Sequence, residues 1–450
     1  MQATYDLLLK GATVVNHDGS ALRDIAVRDG RIAAIGDIPP SAAGETVGCR
    51  GLHIIPGVID TQVHFREPGF EHKEDLATGS RAAVAGGVTA VFEMPNTNPT
   101  TTTAENLGDK LARARHRMFC DFAFFIGGTR ENAQELPELE RLPGCAGVKV
   151  FMGSSTGTLL VHDDEGVADI LQHIPRRAAF HAEDEFRLAE RRTRQVHDDP
   201  SSHPDWRDEE AARLSVERLL RIARAAGKRV HVLHVTSAPE FDLLARHRDV
   251  ASVEVTPHHL TLVAPDAYHR LGTLAQMNPP VRDAAHQAAL WRAVRSGLVD
   301  VLGSDHAPHS RDEKAKPYPQ SPSGAPGVQT LVPLMLDHVA AGRLTLERLV
   351  DLTSHGPARL FGIARKGRIA QGYDADLTVV DLKASRTITN DWVESRCGWT
   401  PYHGLSVQGW PIGTLVRGRR AMWEGTIATA PGGEAIDFLE CLPRRNAEDK

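Results

Sequence analysis

Between residue 55 and about residue 340, short apolar segments alternate with amphipathic ones, and this rhythm leaves very few architectures open. Eight apolar segments recur: Val58–His64, Thr89–Met94, Phe122–Gly127, Gly147–Phe151, Ala178–His181, Val230–Val235, Ser252–Thr256 and Val299–Gly303. Helical patterns lie between them, such as Ala77–Ala85, Ala104–Arg115 and Glu209–Ala226. In the last, Ala212, Leu214, Val216, Leu219, Leu220 and Ile222 fall at helical spacing. Strands apolar on both faces that alternate with helices predict a (β/α)8 barrel of the α/β class. An open doubly wound sheet is the alternative, but no Gly-x-Gly-x-x-Gly turn follows the first strand.

The flanks have a different texture. Residues 4–54 and 366–430 read as short strands broken by Gly and Asp turns, as in Tyr5-Asp-Leu-Leu-Leu and Asp376-Leu-Thr-Val-Val. Two such sets bracketing a barrel predict one small β-sandwich made from both chain ends. The expected division is 1–55 and 362–450 for the two parts of that sandwich, the second including the tail, and 56–361 for the barrel. With 450 residues and 41% hydrophobic content there is enough chain for both cores.

Composition excludes several function classes. The net charge of −6 carries no basic stripe for nucleic acid and no polybasic segment for a membrane surface. The N-terminal residues lack the pattern of a signal peptide, and no apolar run approaches the ~20 residues of a membrane span. Five scattered cysteines without a CxxC pair indicate neither a disulfide framework nor a thiolate zinc site. A reduced, cytoplasmic enzyme acting on a small molecule is expected.

With 22 histidines in the chain, position has to separate candidates from background. A barrel of this type carries its active site at the C-terminal ends of its strands. That rule keeps His64, Asn96, Lys149, His181, His234, His258, His259, Asp305, His306 and His309, and sets aside the other histidines, His203 and His231 among them, as solvated or structural. On the first strand Asp60, Gln62 and His64 share one face, with Arg66 directly after them. Lys149 stands among apolar neighbours in Gly147-Val-Lys-Val-Phe-Met, where an amine is costly unless paired or chemically altered. Desolvation lowers a lysine pKa and makes the amine nucleophilic. Capture of carbon dioxide would convert it to a carbamate able to bridge two metal ions, and a salt-bridged lysine is the plain alternative. His181 and His234 end consecutive strands, and nitrogen and oxygen donors without thiolate suit zinc, with manganese or cobalt as substitutes. Asp305, in Gly303-Ser-Asp-His-Ala-Pro-His, can both touch a metal and carry a proton, or simply cap a helix.

These residues resemble the cyclic amidohydrolases, and among them the dihydroorotases. The matching pieces are Pro56-Gly-Val-Ile-Asp, Val63-His-Phe-Arg-Glu-Pro-Gly, Lys73-Glu-Asp, Met94-Pro-Asn-Thr, Val148-Lys-Val-Phe-Met, His181-Ala-Glu, His234-Val-Thr-Ser, Asn278-Pro-Pro-Val-Arg and Gly303-Ser-Asp-His-Ala-Pro-His. The resemblance implies reversible cyclisation of N-carbamoyl-L-aspartate to L-dihydroorotate, in de novo pyrimidine biosynthesis, by metal-hydroxide chemistry. It implies metal ligation by Gln62, His64, Lys149 (carboxylated), His181, His234 and Asp305, with one or two Zn2+ ions and Asp305 as the proton shuttle. Arg66, Asn96 and His309 would hold the substrate carboxylate, and Asn278 with Ala325, Pro326 and Gly327 would meet the ring amides. A homo-oligomer is expected, and association with aspartate transcarbamoylase is open. Two alternatives stand beside this reading: a hydantoinase- or allantoinase-like enzyme, and a non-catalytic dihydroorotase-like subunit of aspartate transcarbamoylase. Two departures bear on these alternatives. Gln62 stands where the family has the first histidine of His-x-His, and the stretch Gly153-Ser-Ser-Thr-Gly lacks the acid that several relatives carry there.

Overall fold

The chain begins with five strands, β1 (Tyr5–Asn16), β2 (Gly19–Arg28), β3 (Arg31–Gly36), β4 (Ala43–Gly48) and β5 (His53–Pro56). It then makes the barrel strands β6 (Val58–Val63), β7 (Val88–Glu93), β8 (Asp121–Gly127), β9 (Cys145–Phe151), β10 (Ala178–His181), β11 (Val230–Val232), β12 (Ala251–Val255) and β13 (Val301–Leu302). Four more strands follow, β14 (Leu377–Thr387), β15 (Ser406–Val416), β16 (Arg419–Trp423) and β17 (Thr426–Ile427). The structure, a computed structural model, describes residues 3–155 and 158–441. Among these residues no helix is long and apolar enough to cross a membrane.

Strands β6 to β13 pair in chain order, all parallel, and every residue in them is buried. Burial on both faces is why they read as continuous apolar runs. The ring closes where the His64 amide donates to the His306 carbonyl at 2.7 Å, beside a parallel bridge between Val63 and His306. The helices begin at side-chain caps legible in the sequence. Asp75 accepts from the Thr78 amide in a capping box before Leu76–Ala85, and Asp208 accepts from the Ala211 amide before Glu209–Ala225. One end of the lumen is plugged by aromatics: Phe92 meets Phe125, Phe361 and Phe438 edge-on, at 5.9, 5.1 and 5.7 Å. The opposite end stays polar.

Strand lengths depart from the sequence expectation at β11 and β13. The segment predicted as Val230–Val235 ends as a strand at Val232, and that predicted as Val299–Gly303 is reduced to Val301–Leu302. Both lead into residues whose backbone leaves extended geometry, His234 at φ 37° and Asp305 at φ 48°. The strands stop because the chain turns to deliver those side chains.

The two ends of the chain pair into one nine-stranded sheet in the order β17-β16-β15-β14-β5-β1-β2-β3, with β4 on β1. The seam is the antiparallel β5–β14 pair, which places Pro56 opposite Leu377 and His53 opposite Val380. Gly57 makes the passage into the barrel. A Cβ there would lie 2.2 Å from Thr89 Oγ1 and 2.8 Å from Asp376 Cβ, so only glycine fits.

An ionic node fastens this sheet to the barrel. Lys366 is buried and reaches Asp121, the first residue of β8, at 2.6 Å, Asp374 at 3.4 Å, and Asp376. Arg417 joins Asp121 at 2.9 Å. Removing the central cation would leave Asp376 without its cation, and Asp121 and Asp374 with the more exposed Arg417 and Arg365. Lys366→Met is therefore expected to cost about 3–5 kcal/mol, read as a lowered denaturation midpoint. A midpoint within experimental scatter of the parent would show that the node contributes nothing net.

Candidate active site

At the polar end of the barrel, a small cavity is lined by Gln62, His64, Arg66, Lys149, Phe151, Ser155, His181, His234, Asn278, Asp305, Ala307, Ser323 and Gly324. Residues more than 240 positions apart meet there because the barrel closes, as Gln62 and His64 do with Asp305.

The histidines are arranged as electron-pair donors. His181 donates Nε2–H to Glu183 at 2.9 Å, which leaves its Nδ1 bare and facing His234 Nε2 at 3.0 Å. Glu183 is wholly buried. Burial pushes its carboxyl up, but the Arg207 charge and the His181 bond outweigh that and hold it well below the usual range. Arg207 reaches Glu183 through Nε at 3.1 Å and Nη2 at 2.5 Å, and donates Nη2 to the Ser154 carbonyl at 2.7 Å. His181 is thus locked in one tautomer from behind. Burial lowers the pKa of His64, His181 and His234 alike, so all three imidazoles are neutral at neutral pH.

On the other side, His64 places Nδ1 2.8 Å from Asn96 Oδ1. Its Nε2 lies 3.3 Å from Asp305 Oδ1, so the one N–H of the neutral ring stands between two oxygen acceptors. Gln62 Nε2 donates to the same Asp305 oxygen at 3.1 Å, while Gln62 Oε1 is buried without a partner. Burial raises the Asp305 pKa, but the His64 bond and the nearby His64, His234 and His258 rings overcome it, and the carboxyl is held well below its ordinary value.

Lys149 Nζ is buried without a hydrogen-bond partner among the described residues and lies 4.4 Å from the Phe151 ring centroid. Burial lowers its pKa to about 7, so much of the amine is neutral and nucleophilic near neutral pH. Among the described residues no three His, Cys, Asp or Glu side chains form a ready cation cage. A metal here therefore needs a donor from outside that set, and the unpartnered Lys149 amine beside two converging imidazole nitrogens is placed to become one. The donor set fits a divalent metal.

Arg66, buried at 2% exposure and at φ 65°, is positioned by Nε–H donation to the Pro308 carbonyl at 3.2 Å. Burial lowers its pKa to about 10, which leaves it charged. His309 sits behind it. The Lys73 ammonium donates to His309 Nδ1 at 3.2 Å, so Nε2 carries the proton and gives it to the Ser323 carbonyl at 3.0 Å. That nitrogen lies 3.4 Å from Arg66 Nη2 and does not accept from it. Among the described residues no carboxylate is within ion-pair distance of this guanidinium.

Of the residues expected from sequence, Gln62, His64, Arg66, Lys149, His181, His234, Asn278 and Asp305 line the cavity. Asn96 and His309 stand one layer back, against His64 and Arg66. Ala325 and Gly327 brace the Asp305 loop instead: the Ala307 amide donates to the Ala325 carbonyl at 2.9 Å, and the Gly327 amide to His306 Nδ1 at 3.1 Å. Pro326 faces a neighbouring crevice with Gly327, and the cavity wall in this stretch is Ser323 and Gly324. Both nitrogens of His306 are engaged, the second by Glu74 at 3.3 Å. Each of His258 and His259 has a ring nitrogen held away from the cavity, by Tyr402 at 2.8 Å and by the Pro279 carbonyl at 3.0 Å. Sequence reading gave no role to Glu183 and Arg207, and set aside His203, which is buried and bonds Asn278 Oδ1 at 2.9 Å. Glu183, two residues past His181, was the available signal.

Known proteins resemble this chain over nearly its whole length. A dihydroorotase of Halobacterium salinarum is 39% identical over 425 residues, 92% of this chain and 96% of its own length. An allantoinase of Rubrobacter xylanophilus is 35% identical over 96% of this chain and 98% of its own. The solved structure of an L-hydantoinase (dihydropyrimidinase) from Arthrobacter aurescens superposes with a TM-score of 0.91 at 30% identity, covering 96% of this chain and 99% of that one. The amidohydrolase pattern runs over residues 53–421, from the seam strand β5 through the barrel and into β16, and the chain belongs to the amidohydrolase family.

Proposed function

We propose that the protein is a dihydroorotase that interconverts N-carbamoyl-L-aspartate and L-dihydroorotate. The observation that carries this reading is Arg66, a buried guanidinium without a carboxylate partner among the described residues, facing a cavity that also holds the metal-donor set. A cation taken out of water without a counter-ion is costly, and the substrate's carboxylate supplies that ion. Hydantoin and allantoin rings bear no carboxylate there. The hydantoinase and allantoinase relatives keep a second reading in view, the same apparatus acting on another cyclic amide, and turnover across a panel of dihydroorotate, hydantoin and allantoin separates the two.

The residues divide the work. Lys149 as its carbamate, His181 through Nδ1 and His234 through Nε2 would hold one divalent metal, zinc by donor type, and His64 with Asp305 and the shared carbamate a second position. When bound, the metal supplies Lewis acidity and an acidified water at neutral pH. Arg66 fixes the substrate carboxylate, with His309 and Lys73 holding the guanidinium's surroundings in place, and Asn278 at the cavity wall faces the ring. Asp305, ionised and tethered by Gln62 and His64, accepts a proton from the attacking water and returns it to the ring nitrogen as that bond breaks. In ring closure Asp305 starts protonated.

Arg66→Ala is expected to lower kcat/KM for dihydroorotate about 30- to 5,000-fold, the equivalent of about 2–5 kcal/mol for a buried charge pair, with metal content unchanged. Near-parental kcat/KM would remove the basis for dihydroorotate as substrate. Asp305→Asn keeps the shape but cannot accept a proton, and should cost about 10²–10⁴-fold in kcat. A pH–rate profile in that variant identical to the parent's would point to another base.

Metal content provides a further test. The position at Lys149, His181 and His234 has donors from β9, β10 and the turn after β11 and a preset tautomer, whereas the other has an amide where relatives have imidazole. One tightly held ion and a second that is lost on dialysis are expected. Lys149→Ala should lose both metal and activity, with partial rescue by small carboxylates, and Gln62→His should raise occupancy of the weaker position. Two equally tight ions in the parent protein would falsify this assignment.

A further inference from the structure

The plugged end of the barrel, opposite the cavity of the active site, carries a second concave feature. It is a pocket of about 480 Å³ where β10 and β11 begin. Arg177 immediately precedes β10, Arg229 immediately precedes β11, and Arg176, Lys228 and Arg359 complete a basic wall in which Glu440 is the one acid.

Part of this charge has an ordinary explanation. Barrel helices end at this face, and cations there meet the last carbonyls of helices. Lys228 donates to the Ile174 carbonyl at 2.7 Å, and Arg176 is spent on the carbonyls of Glu140, Ala146 and Phe361 at 2.6, 3.3 and 3.2 Å. Three guanidiniums are left over. Arg177 makes a single 3.5 Å contact, to the Val230 carbonyl, and among the described residues neither it nor Arg229 has a carboxylate within 4 Å. Arg359 approaches Asp300 at 3.7 Å, but that carboxylate already takes two bonds from Arg248, at 2.7 and 2.8 Å. Burial lowers the pKa of Arg177 to about 10, and the Arg229, Arg359 and Arg248 charges push the same way against Asp300 alone. Arg177 and Arg229, gathered beside Arg359 with no carboxylate of their own among the described residues, repel one another on an empty surface and favour a dianion.

We propose that this pocket binds a small phosphorylated anion, gripped between Arg177, Arg229 and Arg359. Guanidinium forks match phosphate oxygens in pairs, and a phosphate dianion neutralises more of this cluster than a single carboxylate would. The pocket volume falls in the range of small-ligand sites, and Pro175, Leu360 and Leu439 offer apolar contact to the rest of a phosphorylated metabolite. The ligand would rest on the starts of the two strands that lead to His181 and His234, so its site is separate from the catalytic cavity but built on the same elements.

The test is isothermal titration of the full chain at fixed ionic strength with inorganic phosphate, AMP and adenosine, using the Arg66→Ala, Lys149→Ala double variant as host so that neither the anion grip nor a bound metal in the catalytic cavity contributes. Phosphate and AMP should bind saturably and adenosine should not. AMP binding tighter than phosphate would identify an organic phosphate as the ligand, and equal affinities would identify the free ion. Combining Arg177→Gln with Arg229→Gln should weaken AMP at least about tenfold, and the same pair in the parent background should leave turnover unchanged. Arg229 is exposed, so Arg229→Gln alone keeps the test available should the pair fold poorly, with the same direction of change. Absence of saturable binding, binding that survives these substitutions, or adenosine binding as well as AMP would overturn the proposal.

Discussion

The bond from the His64 amide to the His306 carbonyl joins the first barrel strand to the segment after the last, and the chemistry of the site depends on it. Gln62 and His64 face Asp305 only in a closed ring, and an open sheet of the same strands would leave them at opposite edges. Closure also fixes which end is reactive. Phe92, Phe125, Phe361 and Phe438 fill the lumen at one end with rings, so polar groups delivered by the strands can meet only at the other.

At that end, burial sets the charge state of every participant, with opposite consequences for acids and bases. Desolvation keeps the imidazoles of His64, His181 and His234 neutral and brings the Lys149 amine to about 7, so lone pairs are exposed where a metal needs them. The same desolvation would neutralise Asp305, yet the bond with His64 tips the balance and keeps it ionised. Glu183 is the counterpart one layer out. It stays charged only because Arg207 shares its burial, and it passes that order to His181 as a fixed tautomer. Arg207 also grips the Ser154 carbonyl just past β9, so the strands bearing Lys149 and His181 are braced by one residue.

What could be read from sequence followed the regularity of the elements. Periodicity placed the eight barrel strands and the pairing of the two chain ends, and the strand-end rule selected the histidines, lysine and aspartate that line the cavity. Side-chain direction beyond the strands was not legible, because loops have no period. Asp60 shares its face with Gln62 and His64, yet its carboxylate accepts from the amides of Ser304 at 2.9 Å and Gln62 at 3.2 Å. The stretch Ala325–Gly327 spends backbone groups on the Asp305 loop, and the wall falls to Ser323 and Gly324. Arg207 lies 24 residues after Glu183 across four short helical segments, a separation no local pattern connects.

Three residues of the site, Arg66, His234 and Asp305, hold positive φ at 65°, 37° and 48°, where side-chain-bearing residues are strained. Each follows a strand whose hydrogen bonding has just ended, and each has its side chain in the cavity. Such conformations cost about 1–3 kcal/mol apiece and persist only where surrounding contacts over-determine them. Those contacts are visible: Pro308 takes the Arg66 Nε–H, the Val235 amide after His234 donates to Glu254 at 2.9 Å, and the His306 amide after Asp305 donates to Ser304 Oγ at 3.0 Å. The backbone is held so that an anion grip, a metal donor and a proton carrier face one small volume before any ligand arrives. Little reorganisation is then left for the reaction itself, which is where preorganised electrostatics act on rate.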